Sequence, residues 1–302
     1  MRIVVVGARG QLGAAVVHVA QARHEVVALD RAGLDIEDAD AVRAKFRDLR
    51  PDAVINCAAY NAVDAAEEHA VDAIRGNSLA VRNLVRGLDG LDGARLVHYS
   101  TDFVFDGYGS RPYLETDAAN PLGVYSMSKL MGEWFALDAP GSYVLRVESL
   151  FGQAPGAAPA CGSVAGIVNL LKSGQRPKVF VDRTVTPTYI MDCAAATLTL
   201  LERRAPSGLY HCVNSGHATW LDVAREITRC LGLPDTSLTP VSMRDVPMRA
   251  ARPQYAALDN GKLAATANLT TARSLAWYLE VLAEEGGNSN DPNAPKVERD
   301  KD

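Results

Sequence analysis

Seven residues, Gly7-Ala-Arg-Gly10-Gln-Leu-Gly13, stand between a β-branched run and a helical stripe, and no other stretch so narrows what the chain can become. Before them, Arg2-Ile-Val-Val-Val6 is continuous and apolar, as a strand covered on both faces of a parallel sheet must be. After them, Leu12, Ala15, Val16 and Val19 recur at helical spacing, and Glu25 to Leu29 reads as a second strand ending at Asp30. Strand, glycine turn, helix, strand and acid follow one another at the length of a dinucleotide-binding βαβ unit. The glycines let backbone approach a pyrophosphate, while the helix N-terminus offers unpaired N–H groups and a positive dipole end. Asp30 is suited to accept from an adenosine ribose, which favours NAD. Arg31, with Arg9, could neutralise a 2′-phosphate and admit NADP, although Arg31 also reads as a solvated surface charge. The preference stays open at this level.

The alternation continues. Ala39 to Leu49 and Val71 to Leu88 read as helices; Asp52 to Ala59, Ala94 to Tyr99 and Tyr143 to Val147 read as strands. The expected fold is α/β, a Rossmann-type doubly wound parallel sheet with helices on both faces and a smaller α+β substrate-binding lobe. Ligands of such sheets bind beyond the carboxyl ends of the strands, where Ala58-Ala59-Tyr60, Ser100-Thr-Asp102 and Glu148-Ser149 fall. From Gln153 to Gly162 the composition turns to Pro, Gly and Ala, a linker or lid. Helices are expected over 163–172, 189–203, 220–231 and 270–284, with strands over 178–181 and 208–213. The domains are accordingly 1–152, cofactor-binding, and 153–285, mainly substrate-binding with some segments free to return to the first. A disordered tail is expected from 286 to 302, where Gly, Asn, Pro and charge dominate.

A net charge of −5 gives no reason to expect nucleic acid or an acidic membrane surface as partner. No apolar run reaches the roughly 20 residues of a membrane span. Cys57, Cys161, Cys193, Cys212 and Cys230 are odd in number and widely spaced, which fits reduced thiols and a cytoplasmic location better than a disulfide framework.

Within Asn120-Pro-Leu-Gly-Val-Tyr125-Ser-Met-Ser-Lys129-Leu-Met-Gly-Glu133, Asn120 is an expected helix cap with Pro121 in the first turn. Tyr125 and Lys129, four apart, share a helix face. A phenol titrates near ~10 and a neighbouring ammonium would lower it, suiting it to general acid–base work. Thr101, at a strand end, supplies a hydroxyl able to hold a carbonyl oxygen beside that phenol. Alone, the pair is common by chance and Thr101 reads as a strand-end cap; together, at one crevice, they point to hydride-transfer chemistry.

At these residues the chain resembles the extended short-chain dehydrogenase/reductases, and within them the dTDP-4-dehydrorhamnose reductase family. Gly7 to Gly13 is similar to that family's Gly-x-x-Gly-Gln-Leu-Gly opening, and Asp35-Ile36, Pro51 to Asn56 and Ala58 to Asp64 with Glu67 to its next segments. Ser100-Thr-Asp-Phe-Val-Phe-Asp-Gly107 is close to its Ser-Thr-Asp-Tyr-Val-Phe-Asp-Gly signature, and Pro121 to Glu133 to its Tyr-x-x-x-Lys block. The similarity reaches about residue 285 through Asp182, Pro187-Thr188, Asp192, Gly208 to His211, Trp220 and Arg252-Pro253.

The resemblance implies reduction by NADPH or NADH of the C4 ketone of a nucleotide-linked 4-keto-6-deoxy sugar, foremost dTDP-4-dehydro-L-rhamnose. Tyr125 would be the acid, Lys129 would tune it and hold the nicotinamide ribose, and Thr101 would orient the carbonyl. Cofactor contacts are expected at Gly7, Gly10, Gln11, Leu12, Gly13, Asp30, Arg31, Asp35, Ile36, Ala58, Ala59, Tyr60, Tyr125 and Lys129. Substrate contacts are expected at Thr101, Asp102, Phe103, Val104, Tyr125, Glu148 and Ser149. Mg2+ occurs in the family, but Ala15 stands where a magnesium-holding member has an acid, so no metal is expected. The expected partner is a nucleotide sugar, with no nucleic acid or membrane, and a homodimer is admitted.

The chain departs from the pattern at specific places. Phe103 replaces the signature tyrosine, and also stands where related dehydratases carry the glutamate of an Asp-Glu pair, so dehydration is not expected. Glu148 and Ser149 replace a Ser-Trp pair, and Arg183 a glutamine. These leave the hydride machinery and open the identity of the sugar. A reductase of another dTDP-4-keto deoxysugar from secondary metabolism is the first alternative. The second is a non-catalytic NADP-binding regulatory subunit resembling that of methionine adenosyltransferase.

Overall fold

The computed structural model describes residues 1–157 and 159–267; the helix expected over 270–284 and the tail from 286 lie outside them. In chain order the first half contains β1 (Arg2–Val6), α1 (Gln11–Ala20), β2 (Glu25–Leu29), α2 (Ala39–Leu49) and β3 (Ala53–Asn56). It continues through α3 (Val63–Ala66), α4 (Ala70–Ile74), α5 (Ala80–Gly87), β4 (Arg95–Thr101), α6 (Val124–Leu137) and β5 (Tyr143–Val147). The second half has β6 (Leu150–Phe151), α7 (Ser163–Lys172), β7 (Lys178–Phe180), β8 (Thr184–Val185), β9 (Thr188–Tyr189), α8 (Ile190–Glu202) and β10 (Gly208–His211). It ends with β11 (Ala218–Thr219), α9 (Trp220–Cys230), β12 (Thr239–Val241) and α10 (Gly261–Ala267).

The main sheet is parallel, in the order β10-β5-β4-β3-β1-β2. Ile3, Val4, Val5 and Val6 are at most 1% exposed because both faces of β1 are covered. One core layer joins Ile3, Val5 and Ile55 to α1 and α8; the opposite layer joins Val4, Val54 and Leu96 to α2, α5 and α6. From β1 the chain steps outward to β2, then back past β1 to β3. The order therefore reverses between β1 and β3, and a crevice opens beyond their carboxyl ends. A separate core of Val164, Ile167, Leu171, Val185, Trp220, Val223 and Ile227 holds α7 and α9 together in the smaller lobe. α8 and β10 belong to the first layer despite their late position: α8 packs on α1, and β10 pairs with β5.

Two expected helices differ in detail. The helix carrying Tyr125 begins at Val124 rather than beside Asn120 and Pro121, with Gly123 as its cap residue. Asn120 instead binds Asp106 Oδ2 through its side-chain amide (3.0 Å), while the Val124 N–H is satisfied at 2.8 Å by the carboxylate of Glu67. A cap supplied from 57 residues away is invisible to local sequence. The helix expected over 71–88 is split into α4 and α5 by a π-helical turn, Arg75–Leu79. That turn buries Asn77, whose side-chain amide exchanges hydrogen bonds with the Tyr60 backbone (2.8 and 3.0 Å) and donates to Ser128 Oγ on α6 (3.0 Å).

Candidate active site

Gly7 adopts φ +72°, and a side chain there would run into the Cys57–Ala58 backbone at the end of β3. Gly13 packs on the Gly7 carbonyl, where a Cβ would likewise collide. The two glycines bring strand, turn and helix to their closest approach, and Gly10 opens α1 with its N–H on the Gly7 carbonyl (3.0 Å).

Over this turn lies a cavity of about 740 Å³, ringed by the ends of β1, β2 and β3 and by the π-helical turn. Of the residues expected to meet a cofactor, Gly7, Gly10, Asp30, Arg31, Asp35, Ile36, Ala58, Ala59 and Tyr60 line it. Gln11, Leu12 and Gly13 do not: Leu12 and Gly13 are buried beneath the turn, and the Gln11 side chain donates to the Gly152 carbonyl at 2.9 Å. Arg9, read with Arg31 as a partner for a 2′-phosphate, lines it too, and Asp72 and Arg75 line it without having been expected there. Around Asp30 the charges are already paired, Arg9 with Asp30 at 2.9 Å and Arg31 with Asp35 and Glu37 at 3.6 Å.

Cys57, also in the cavity wall, is pushed up by burial, and the charge of Lys129 works against that push. Tyr125 and Lys129 are both buried on the inner face of α6. Lys129 Nζ donates to the Tyr99 carbonyl near the end of β4 (2.6 Å), and burial lowers its pKa to about 8. One turn on, Glu133 is held bidentately by Arg146 of β5 (2.8 and 2.7 Å) and accepts from Ser100 Oγ (2.6 Å). This buried pair fastens the helix of Tyr125 to the sheet.

Thr101 ends β4 on the side of the Tyr125 phenol, with its hydroxyl donating to Asp102 Oδ1. The expected lowering of Tyr125 by Lys129 is not what this arrangement produces. Burial first, and then the charge of Asp102, push the phenol up, while Thr101 partly offsets them. The lysine's charge is instead directed at the Tyr99 carbonyl. The protonated phenol is thus the strongly favoured form.

The residues that depart from the family pattern lie together. Phe103 meets the Tyr125 ring edge-on (5.8 Å, 88°), and the Arg183 guanidinium covers the Phe103 ring at 5.2 Å. Glu148 accepts from the Thr186 N–H at 2.7 Å, and Ser149 holds a left-handed φ of +45°, strained for a residue with a side chain. Asp102 accepts from Thr101 Oγ1 at 2.9 Å; burial pushes its pKa up to about 6, against the pull of Arg183 and Thr101. Val104 is fully buried among Phe105, Tyr113 and Leu130, apart from these polar groups. Arg183 is the member that local reading left out, although its substitution for glutamine marked the position.

The arrangement offers a glycine-turn cradle for a dinucleotide, a neutral phenol with a threonine beside it, and a buried lysine on the same helix face. The sequence profile of the family described as RmlD substrate binding domain matches residues 1–282. A dTDP-4-dehydrorhamnose reductase of Streptomyces griseus is 35% identical over 268 residues, covering 86% of each chain. A probable dTDP-4,6-dihydroxy-2-methyloxan-3-one 4-ketoreductase of Streptomyces antibioticus is 34% identical, covering 87% of this chain and 88% of its own. Among solved structures, a dTDP-4-dehydrorhamnose reductase of Bacillus anthracis in complex with NADP superposes with a TM-score of 0.85 at 28% identity, covering 94% of this chain and 99% of its own.

Proposed function

The chain belongs to the RmlD substrate binding domain family, and on that premise we propose that it is an NAD(P)H-dependent reductase acting on the C4 ketone of a dTDP-linked 4-keto-6-deoxy sugar. The observation that carries this reading is that Thr101, at the end of β4, and Tyr125 and Lys129, on the inner face of α6, lie together, with Tyr125 in one cluster with Tyr60 of the cavity lining. The Gly7–Gly13 cradle and Asp30 fit a nicotinamide dinucleotide, which when bound supplies the hydride. Thr101 orients the carbonyl oxygen. Tyr125, kept protonated by burial and by Asp102, gives its proton to the oxygen as it becomes a hydroxyl. Lys129 holds the inner end of the site and is close enough to the cavity for a ribose hydroxyl. Asp102, Phe103, Glu148 and Ser149 border the sugar, and the halves 1–152 and 153–285 divide cofactor from sugar binding.

Several of the similar proteins, from Streptomyces griseus, Mycobacterium tuberculosis and Clostridium acetobutylicum, are named dTDP-4-dehydrorhamnose reductases. A second reading, a different dTDP-4-keto deoxysugar, is favoured by the clustering of Phe103, Glu148 and Arg183 and by the similarity to the Streptomyces antibioticus ketoreductase. Five free cysteines fit a reducing, cytoplasmic setting. The deciding experiment follows nicotinamide absorbance while a panel of dTDP-4-keto sugars is offered with NADPH and with NADH. Turnover with one sugar identifies the substrate. Cofactor binding without oxidation by any of them refutes the reductase reading.

A further inference from the structure

Two buried carboxyl oxygens near Tyr125 have no hydrogen-bond partner: Asp102 Oδ2 and Glu148 Oε1. The other oxygen of each acid is engaged, Asp102 Oδ1 by the Thr101 hydroxyl (2.9 Å) and Glu148 Oε2 by the Thr186 N–H (2.7 Å). Asp102 comes from the end of β4 and Glu148 from the end of β5, and they are 3% and 1% exposed. Arg183 faces both acids, yet among the described residues it forms no ion pair within 4 Å with either; its Nε donates to the Pro253 carbonyl at 3.2 Å. The other ionisable groups facing the set are Tyr125 beside Asp102 and Tyr255 beside Glu148, with Arg252 behind Arg183.

Charge balance limits how this set is protonated. Arginine stays protonated in proteins. With both acids ionised, one guanidinium would leave a buried uncompensated negative charge, which a low-dielectric interior strongly disfavours. One proton on the two acids makes the set neutral and gives their unpartnered oxygens a hydrogen to bond. Burial and the charge of Asp102 both push Glu148 well above the usual carboxylate range, in the same direction.

We propose that Asp102 and Glu148 hold one proton jointly on these two oxygens, and that this proton recharges the Tyr125 phenol through the Thr101 hydroxyl after each turnover. The recharging half rests on the reductase reading above; the joint proton does not. In the reduction, the Tyr125 O–H bond breaks as the product O–H bond forms. The phenolate then takes the Thr101 hydroxyl hydrogen as the Thr101 oxygen takes the pair's proton from Asp102, whose carboxyl turns its protonated oxygen to the hydroxyl that Oδ1 otherwise holds. The pair, now doubly ionised, recovers a proton from solvent. No electrons move beyond those of the hydride, and with the two transfers at Thr101 concerted the proton passes in net from a carboxylic acid to the stronger base, the phenolate. Glu148 is thereby a positioning residue that acts through Asp102.

The test uses the full chain with NADP bound. Infrared spectra across pH should show the carbonyl stretch of one protonated carboxyl at pH 7, and that band should vanish in Glu148→Gln. Glutamine keeps the acceptor for the Thr186 N–H, so this variant preserves the fold's hydrogen bond. In steady-state reduction, Glu148→Gln should lower kcat roughly tenfold with little change in KM, and move the alkaline limb of the kcat profile at least about one unit toward acid. Glu148→Asp, which keeps a carboxyl, should retain the band and restore part of the limb. A band unchanged in Glu148→Gln would overturn the joint proton. Loss of the band with an unaltered kcat profile would overturn the recharging. If the wild type keeps the band but reduces no nucleotide 4-keto sugar, the reductase reading falls and takes the recharging with it, while the joint proton stands.

Discussion

Lys129 anchors its ammonium on the Tyr99 carbonyl at 2.6 Å, one helical turn from Tyr125 and at the end of the strand that delivers Thr101. The lysine therefore fixes helix to strand as well as carrying charge. It does so at a cost, because burial has brought its pKa from 10.5 to about 8.

That cost makes a pH-dependent prediction. A displacement from 10.5 to about 8 corresponds to about 3 kcal/mol at ~1.4 kcal/mol per unit. The folded state disfavours the charged form, so the penalty is complete below pH 8 and is relieved as pH rises from 8 to 10.5. Lys129→Met should abolish reduction yet raise the urea midpoint at pH 7, by about 2 kcal/mol once the lost Tyr99 bond is subtracted. The difference should shrink as pH rises above 8, pass through zero before pH 10.5 and then reverse, the variant being less stable by about the lost bond. A variant less stable than wild type at pH 7 would show that the buried ammonium is net stabilising.

Removing the phenolic hydroxyl leaves the Phe103 contact and the helix untouched. Tyr125→Phe should lower kcat/KM by about 10²–10⁴ while NADPH binding, measured by fluorescence titration, stays unchanged. Near-wild-type turnover would remove Tyr125 as the acid.

The two outer roles of the glycine turn should separate. Gly7→Ala meets both a left-handed φ and the Ala58 backbone, so it should destabilise the fold by about 2 kcal/mol or more. Gly10→Ala should fold normally and weaken cofactor binding, because Gly10 faces the cavity at a backbone conformation open to any residue. Thermal melts and cofactor titrations of the two variants distinguish the roles; equal melting losses would contradict this division.

Glu133 and Arg146 are 2% and 4% exposed at their side chains. Glu133→Ala strands a buried guanidinium and should cost about 3–5 kcal/mol in chemical denaturation. Adding Arg146→Met should recover much of that loss, since the unpaired charge is then gone as well. No recovery in the double variant would mean that the carboxylate matters for more than its pairing.

Local pattern sufficed where one element decides its own shape. β1 with its glycine turn, α2 and α7 lie where their apolar spacing puts them, and Thr101 ends its strand while Tyr125 and Lys129 share the buried face of α6. Features built between distant segments were not legible. The first turn of α6 depends on Glu67, and the π-helical turn on the demand that Asn77 reach both Tyr60 and Ser128. The carboxyl environment of Asp102 depends on Arg183 and Glu148, which reach it from distant segments, one between β7 and β8 and the other just past β5. Phe103, Glu148 and Arg183 stood out one by one in the sequence; only the fold makes them neighbours.

The pairing of β10 with β5, and of α8 with α1, bears on how the chain is made. When residue 152 has left the ribosome, every residue of the glycine turn exists, but β5 is an open edge and one face of α1 is bare. The strand and helix that cover them arrive only with residues 190–211. An exposed parallel edge invites pairing with other chains, and contacts so distant in sequence form slowly. A gene cut after residue 152 should accordingly yield an aggregating fragment, and in the growing chain the glycine-turn cavity matures only after the smaller lobe has begun to emerge.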